Sequence, residues 1–188
     1  MTTTSPLKRC GWCSEDPLYI HYHDTEWGKA QFNEQHLFEM LCLEGQQAGL
    51  SWITVLKKRE NYRAHFFQYP IAKIAALTDQ ALEAKLSDAG IIRHIGKLKA
   101  IRDNAIAWQN LTAQNINMVQ WLWNFVEHRP IHNDVENYRT APTQTEVSLA
   151  LSKALKKNGF KFVGPTIIYA FMQAVGMVND HENDCCAK

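Results

Sequence analysis

Asn158-Gly159-Phe160-Lys161-Phe162-Val163-Gly164-Pro165-Thr166-Ile167-Ile168-Tyr169-Ala170-Phe171-Met172, residues 158–172, joins two helix-forming segments through a short hairpin. Pro165 suits the first turn of the second helix, because its missing N–H would have no partner there anyway. Gly164 carries no side chain to obstruct another backbone. Upstream, Thr143-Gln144-Thr145-Glu146 follows Pro142 and fits a capping box that opens a helix over 144–157. Lys156 and Lys157 complement its C-terminal dipole, and Asn158-Gly159 suits a left-handed cap. The second helix is expected over 166–177. Free amides at its start, the positive dipole end and Lys161 can together hold an anion such as a DNA phosphate. An ordinary helical hairpin with glycine at a cap reads equally well.

Helical periodicity dominates the rest of the chain. Helices are expected over about 34–44, 51–66, 79–88, 97–111 and 117–127 as well, with a long loop over 128–142. The fold class is all-α: an orthogonal helical bundle of two lobes around a cleft. The 188 residues suit one domain, 9–188, after a flexible tail over 1–8. The segment Ala89 to Lys97 is a second basic stretch, with Arg93, His94, Lys97 and Lys99 at a helix start. It reads either as an anion site or as a solvated loop. A formal net charge of +1 leaves nucleic-acid binding open, because a basic face can be balanced by acids elsewhere. No apolar run approaches the roughly 18 residues of a membrane span. No membrane partner, a cytoplasmic location and a monomer are expected.

Leu37-Phe38-Glu39-Met40-Leu41-Cys42-Leu43-Glu44 places Glu44 on the same helix face as Leu37, Met40 and Leu41. A carboxylate on an apolar face is costly unless paired or used. The break Gly45-Gln46-Gln47-Ala48-Gly49-Leu50-Ser51 then leads to the indole of Trp52. An acid, a loop and an aromatic wall together read as pocket lining, against the alternative of a helix-end Glu turned to solvent.

The five cysteines fall at 10, 13, 42, 185 and 186. Cys42 reads as a small core residue. Cys10 and His23 near one end, with His181 and Cys185 at i, i+4 near the other, satisfy a closed tetrahedral zinc site. One structural Zn2+ would fasten a C-terminal tail poor in apolar residues. Cys13 and Cys186 are spare thiols that could substitute. His21, His36, His65, His94, His128 and His132 have no such partners in sequence.

These residues resemble the 3-methyladenine DNA glycosylase I family, bacterial base-excision repair enzymes of the helix–hairpin–helix superfamily. The likeness runs through Arg9-Cys10-Gly11-Trp12, Asp16-Pro17-Leu18-Tyr19-Ile20, Tyr22-His23-Asp24 and Glu26-Trp27-Gly28. It includes all of Leu43 to Ile53, Asp88 to His94, Gly159 to Gly164 and Val178-Asn179-Asp180-His181. The resemblance implies a monofunctional hydrolase that flips 3-methyladenine out of double-stranded DNA, releases the free base and leaves an abasic site. It implies a base pocket of Trp12, Tyr19, Tyr22, Glu44 and Trp52, with Glu44 the catalytic-site carboxylate, and the zinc ligands Cys10, His23, His181 and Cys185. It implies DNA contacts from Lys161, Phe162 and Gly164 of the hairpin. The loop Gln47-Ala48-Gly49-Leu50 would enter the gap that the flipped nucleotide leaves. Superfamily members carry an Asp where this chain has Asn179, and Asp180 is one residue out of register. Two readings compete with the glycosylase, a non-catalytic zinc-stabilised DNA-binding module and a small-molecule hydrolase with Glu44 as general base; within the glycosylase reading, Lys97, Lys99 and Lys161 lie in DNA-facing segments where a lysine nucleophile is an alternative to water.

Overall fold

The computed structural model describes residues 7–188. Most of the expected tail over 1–8 lies outside the described residues. Lys8 is fastened, because its carbonyl accepts from the Cys186 amide at 2.8 Å and its ammonium pairs with Asp184.

The architecture is helical: α1 (Pro17–Thr25), α2 (Glu34–Gln47), α3 (Trp52–Leu56), α4 (Arg59–Tyr62), α5 (Ile71–Ala75), α6 (Asp79–Ala84), α7 (Ile95–Ala113), α8 (Met118–Trp123), α9 (Glu146–Lys157) and α10 (Pro165–Ala174). At the centre is α2. Its Leu37, Phe38, Met40, Leu41, Cys42 and Leu43 are each at most 1% exposed, so this helix is buried nearly all round. It packs against α10, α3, α7 and α8. Cys42 is a core residue, as its apolar setting suggested.

Several expectations need correction. The helix expected over 34–44 continues to Gln47, so Glu44 sits within it and not at its end. A Cβ at Gly45 would lie 3.1 Å from the Phe162 Cβ, so the hairpin after α9 rests on the glycine face of α2. The segment 51–66 is not one helix. It bends at Lys57-Lys58 into α3, α4 and a π-helical turn, Arg63–Phe67. The bend turns Arg59 inward to a paired contact with Glu26 at 2.5 and 2.8 Å. The capping box of α9 is built from Thr145 and Ser148, not Thr143 and Glu146. Reciprocal geometry places the cap two residues later than the Thr-x-x-Glu pattern implied.

Helix α1 was not expected, since its apolar residues make no clean stripe. Its signal was Asp16-Pro17: the Asp16 carboxylate accepts from the Leu18 amide at 3.0 Å, and proline takes the first helical position. The region 128–142 contains a short strand, β1 (Ile131–His132), paired in parallel with β2 (Val178–Asn179). The Asn183 amide donates to the Val135 carbonyl at 2.8 Å, and the Tyr138 amide to Glu182 at 2.8 Å. This segment clamps the C-terminal tail. Gly176, at φ +71°, ends α10 where the Lys29–Ala30 peptide passes; a Cβ would stand 2.2 Å from the Lys29 carbonyl carbon, so the close approach requires glycine. No helix among the described residues is long and apolar enough to cross a membrane.

Candidate active site and metal centre

A cavity of about 370 Å³ opens between α1, α2, α3 and α10. Trp12, Tyr19, Tyr22, Glu44, Gln47 and Trp52 all line it. Trp12 sits before α1, the tyrosines on α1, Glu44 on α2 and Trp52 at the start of α3. The rings form a continuous wall: Trp12 meets Tyr19 at 5.1 Å and Trp27 at 4.9 Å, and Tyr22 meets Trp52 at 5.5 Å. Such tilted and edge-on pairs hold aromatic faces rigidly around an opening.

Three buried polar groups in this wall lack the partners that burial normally demands. The indole N–H groups of Trp12 and Trp52 have no hydrogen-bond partner among the described residues. The Glu44 carboxyl is 4% exposed and has no hydrogen bond among the described residues; burial alone pushes its pKa up to about 8. Burial also raises Tyr19, to about 12, and Tyr22, so both remain neutral phenols at physiological pH. Two indole donors and one carboxyl, protonated in the free protein near neutral pH, are therefore available to a planar polar guest.

Sequence reasoning did not place Trp27, Tyr169, Gln173 or Asp180 at this cavity, yet all four line it. A signal existed for part of the set: Thr166, Ala170 and Gln173 share one face of α10 at helical spacing. Asp180 is 2% exposed and accepts from the Tyr169 hydroxyl, the Gln173 amide and the Asn133 amide, each at 2.7 Å. Asn179 has a different task, accepting from the His181 amide at 3.1 Å.

Gly49, Leu50, Lys161, Phe162 and Gly164 stand outside the cavity, on two neighbouring surface turns. Gly49 adopts φ +79° and Leu50 is 38% exposed. Phe162 is exposed at φ +53°, a conformation costly for an aromatic residue. The start of α10 has no side-chain cap, since Gly164 is its N-cap. A Cβ at Gly164 would meet nothing within 4 Å, so space lies open in front of the helix start. Thr166 and Ile167 of that first turn also line the cavity, which places the uncapped amides at its rim.

The second basic stretch is not an anion site of the same kind. The His94 ring caps α7 by accepting from the Lys97 amide at 3.2 Å. Lys99 pairs with Asp79 at 2.7 Å. Lys97 is buried, with Nζ donating to the carbonyls of Gln46 and Ala48 at 2.8 and 2.7 Å. His65, set aside as a metal ligand, meets Asp88 at 2.7 Å. Among the described cavity-lining residues there is no lysine.

Behind the aromatic wall, Cys10, His23, His181 and Cys185 gather so that their ligand atoms lie within 4.8 Å of one another, all buried. Cys10 Sγ is 3.4 Å from His181 Nδ1; Cys185 Sγ is 3.4 Å from His23 Nε2 and 3.5 Å from His181 Nδ1. Ligands of one tetrahedral zinc stand about 3.3–3.8 Å apart, from bond lengths of about 2.0–2.3 Å. His23 Nδ1 meets the Asp24 carboxylate at 2.7 Å and His181 Nε2 meets the Trp27 carbonyl at 3.0 Å. Those partners fix both tautomers and leave the inward nitrogens free to ligate. Burial pushes His181 down to about 4, which keeps it neutral, and raises Cys10 to about 12, so its thiolate needs a cation. The residues fit a bound metal ion. Residues 181–185 form a turn, not the helical turn that their spacing suggested. Cys13 and Cys186 are not members of the cluster.

A sequence profile of the methyladenine glycosylase family matches residues 12–188. The chain belongs to that family. It is 56% identical over 180 residues to DNA-3-methyladenine glycosylase 1 of Escherichia coli (strain K12), covering 96% of each chain. It is likewise 56% identical over 180 residues to DNA-3-methyladenine glycosylase of Haemophilus influenzae, covering 96% of this chain and 97% of the relative. A solved structure of 3-methyladenine DNA glycosylase I from Staphylococcus aureus, determined for its recognition of 3-methyladenine, superposes with a TM-score of 0.93 at 34% identity over 98% of each chain. The fold, the cavity and the metal cluster described above are thus features of a family member.

The raised Glu44 pKa has a definite sign in stability. Between about pH 4.5 and about 8 the folded protein keeps a proton that the unfolded chain has lost. Stability from this group is complete below pH 4.5 and is lost as pH rises through 8. Glu44→Gln removes the titration. Urea unfolding should therefore show the variant gaining on the wild type by a few kcal/mol between pH 5 and pH 8.5. An equal difference at the two pH values would contradict the unpaired burial.

Proposed function

We propose that this protein is a DNA N-glycosylase that extrudes 3-methyladenine from alkylated double-stranded DNA and hydrolyses its N-glycosyl bond. The products are the free base and an abasic site. The observation that carries this reading is the unpaired Glu44 carboxyl in an aromatic cavity that also holds two unsatisfied indole donors. N3-methylation places positive charge on the adenine and weakens its bond to the sugar, so no strong general acid is required. Extrusion costs a few kcal/mol, least at a damaged base. The electron-rich wall favours a cationic ring by about 0.5–2 kcal/mol per contact. A cationic base also supplies the counter-charge that Glu44 lacks and draws it back to the carboxylate. Glu44 then accepts from the exocyclic amine, a donor that guanine O6 cannot offer. Water is the acceptor of the sugar, in keeping with the absence of a lysine among the described residues of the cavity lining.

Residues 9–188 act as one catalytic domain, an orthogonal helix–hairpin–helix bundle with two lobes around the base-binding cleft. The hairpin from Gly159 to Gly164, with the uncapped start of α10 and Lys161, grips a DNA phosphate without reading sequence. Phe162 flanks that contact. The loop Gln47-Ala48-Gly49-Leu50 fills the gap in the duplex, with Leu50 as its apolar tip. The protein works as a cytoplasmic monomer. Cys10, His23, His181 and Cys185 hold one structural Zn2+, which ties the N-terminal segment to the C-terminal tail. That ion supplies two thiolates with their counter-charge and takes no part in base release.

Two experiments test this reading. Duplex DNA treated with a methylating agent is incubated with the protein, and released bases are separated by chromatography. The wild type should release 3-methyladenine, and Glu44→Ala should lose on the order of a hundredfold or more in rate. No release with DNA binding intact would instead indicate a non-catalytic binding module. For the metal, elemental analysis should find one zinc per chain, retained by Cys13→Ser and lost by Cys10→Ser. Chelation should lower Tm by roughly 10 °C, since each kcal/mol moves Tm by about 2–4 °C in a domain of this size. A metal-free protein with unchanged Tm would contradict the assignment.

A further inference from the structure

Lys97 combines two costs that nothing in the chemistry of base release explains. It lies in the first turn of α7, where a cation opposes the helix dipole. It is also only 7% exposed, and no carboxylate among the described residues pairs with it. What offsets these costs is the end of α2. The last carbonyls of a helix have no partners inside it. The Lys97 ammonium takes up two carbonyls there, Gln46 at 2.8 Å and Ala48 at 2.7 Å. Hydrogen bonds from a charged donor are among the strong ones. The Gln46 side chain answers by donating to the Lys97 carbonyl at 3.0 Å. Its oxygen accepts from the Tyr62 hydroxyl at 3.0 Å, which itself accepts from the Ile92 amide at 3.1 Å. The end of α2 is thus bolted to α4 and to the segment before α7.

Immediately beyond the bolt come Gly49, in a left-handed conformation, and Leu50, whose amide donates to the Gln47 carbonyl at 2.7 Å. A Cβ at Gly49 would meet nothing within 4 Å, and the hydrogen bonds of Leu50, from its amide to the Gln47 carbonyl and from the Gln47 side-chain amide to its carbonyl, all run back to the last residue of α2. Its direction is set where it leaves the helix, at Ala48.

We infer that Lys97 is a positioning residue for the loop Gln47–Leu50: it fixes the direction in which Leu50 enters the duplex and so governs extrusion of the base, without touching the substrate. This rests on the glycosylase reading. It assigns Lys97 a role in the DNA-bound step and none in recognition of the base once the base is in the cavity.

Lys97→Met keeps the length of the stem and removes the charged donors. On methylated duplex DNA its kcat/KM should fall on the order of 10- to 100-fold, the scale of a small misplacement of a working group. Binding of free 3-methyladenine, followed by quenching of tryptophan fluorescence, should stay within about threefold of the wild type, because Gln47 alone of the loop lines the cavity and Glu44 and the aromatic wall lie outside the loop. Leu50→Ala should show the same pattern. The double variant should be no worse than the poorer single one, since both act on one element. Wild-type excision by Lys97→Met would overturn the proposal, as would equal loss of base binding and excision. Additive losses in the double variant would also overturn it. Lys97→Gln is the second variant, retaining a neutral donor; failure of both to fold would assign Lys97 to the fold as a whole and equally overturn the proposal. A wild type that releases no base would instead refute the glycosylase reading on which the proposal stands.

Discussion

A carboxyl group without a partner, buried on the central helix, is the constraint around which this molecule is arranged. Glu44 has little access to water, because it is 4% exposed on a helix enclosed by α3, α7, α8 and α10 and lines the aromatic cavity. It is not neutralised by any neighbour among the described residues, because no lysine, arginine or histidine lines its cavity. The group is held in an environment that favours its protonated form and that a cationic guest would reverse. That is a binding preference built from burial alone.

The metal cluster lies directly behind the same wall. Trp12 packs on His23 at 5.1 Å, and Trp27 lies edge-on to His181 at 4.6 Å while its carbonyl orients that ring. The residues that close the chain ends therefore also support the back of the cavity. The tail from Asn179 onward contributes Asp180 to the cavity and both a histidine and a cysteine to the cluster. It stays in place through the short parallel pairing with Ile131–His132 and the contacts of Glu182, rather than through apolar burial of its own.

Much of this was legible in the sequence, for identifiable reasons. Glu44 was visible because a charge breaks an otherwise apolar helical stripe, and the ligand set because thiols and imidazoles have few other reasons to be paired across chain ends. The α9–α10 hairpin was visible through its glycines and Pro165. What escaped was decided by tertiary contact. Lys97 and Lys99 read as free surface cations, yet one is buried against carbonyls of α2 and the other is paired with Asp79. His94 read as incidental and is a helix cap. The bend at Lys57-Lys58 has no glycine or proline to announce it; an inward ion pair of Arg59 with Glu26 accompanies it. Tyr169, Gln173 and Asp180 reach the cavity from a helix and a tail whose facing could not be known before their neighbours were.

The central claim is that Glu44 waits in the free protein as an uncompensated buried acid. Carbon-13 NMR of glutamate carboxyl groups across a pH titration tests this directly, with Glu44→Gln used to assign the resonance. The account predicts a carboxyl that titrates near pH 8 in the free protein, well apart from the surface glutamates. Titration near the ordinary value of 4.5 would show that the carboxylate is already solvated or paired, and would contradict it.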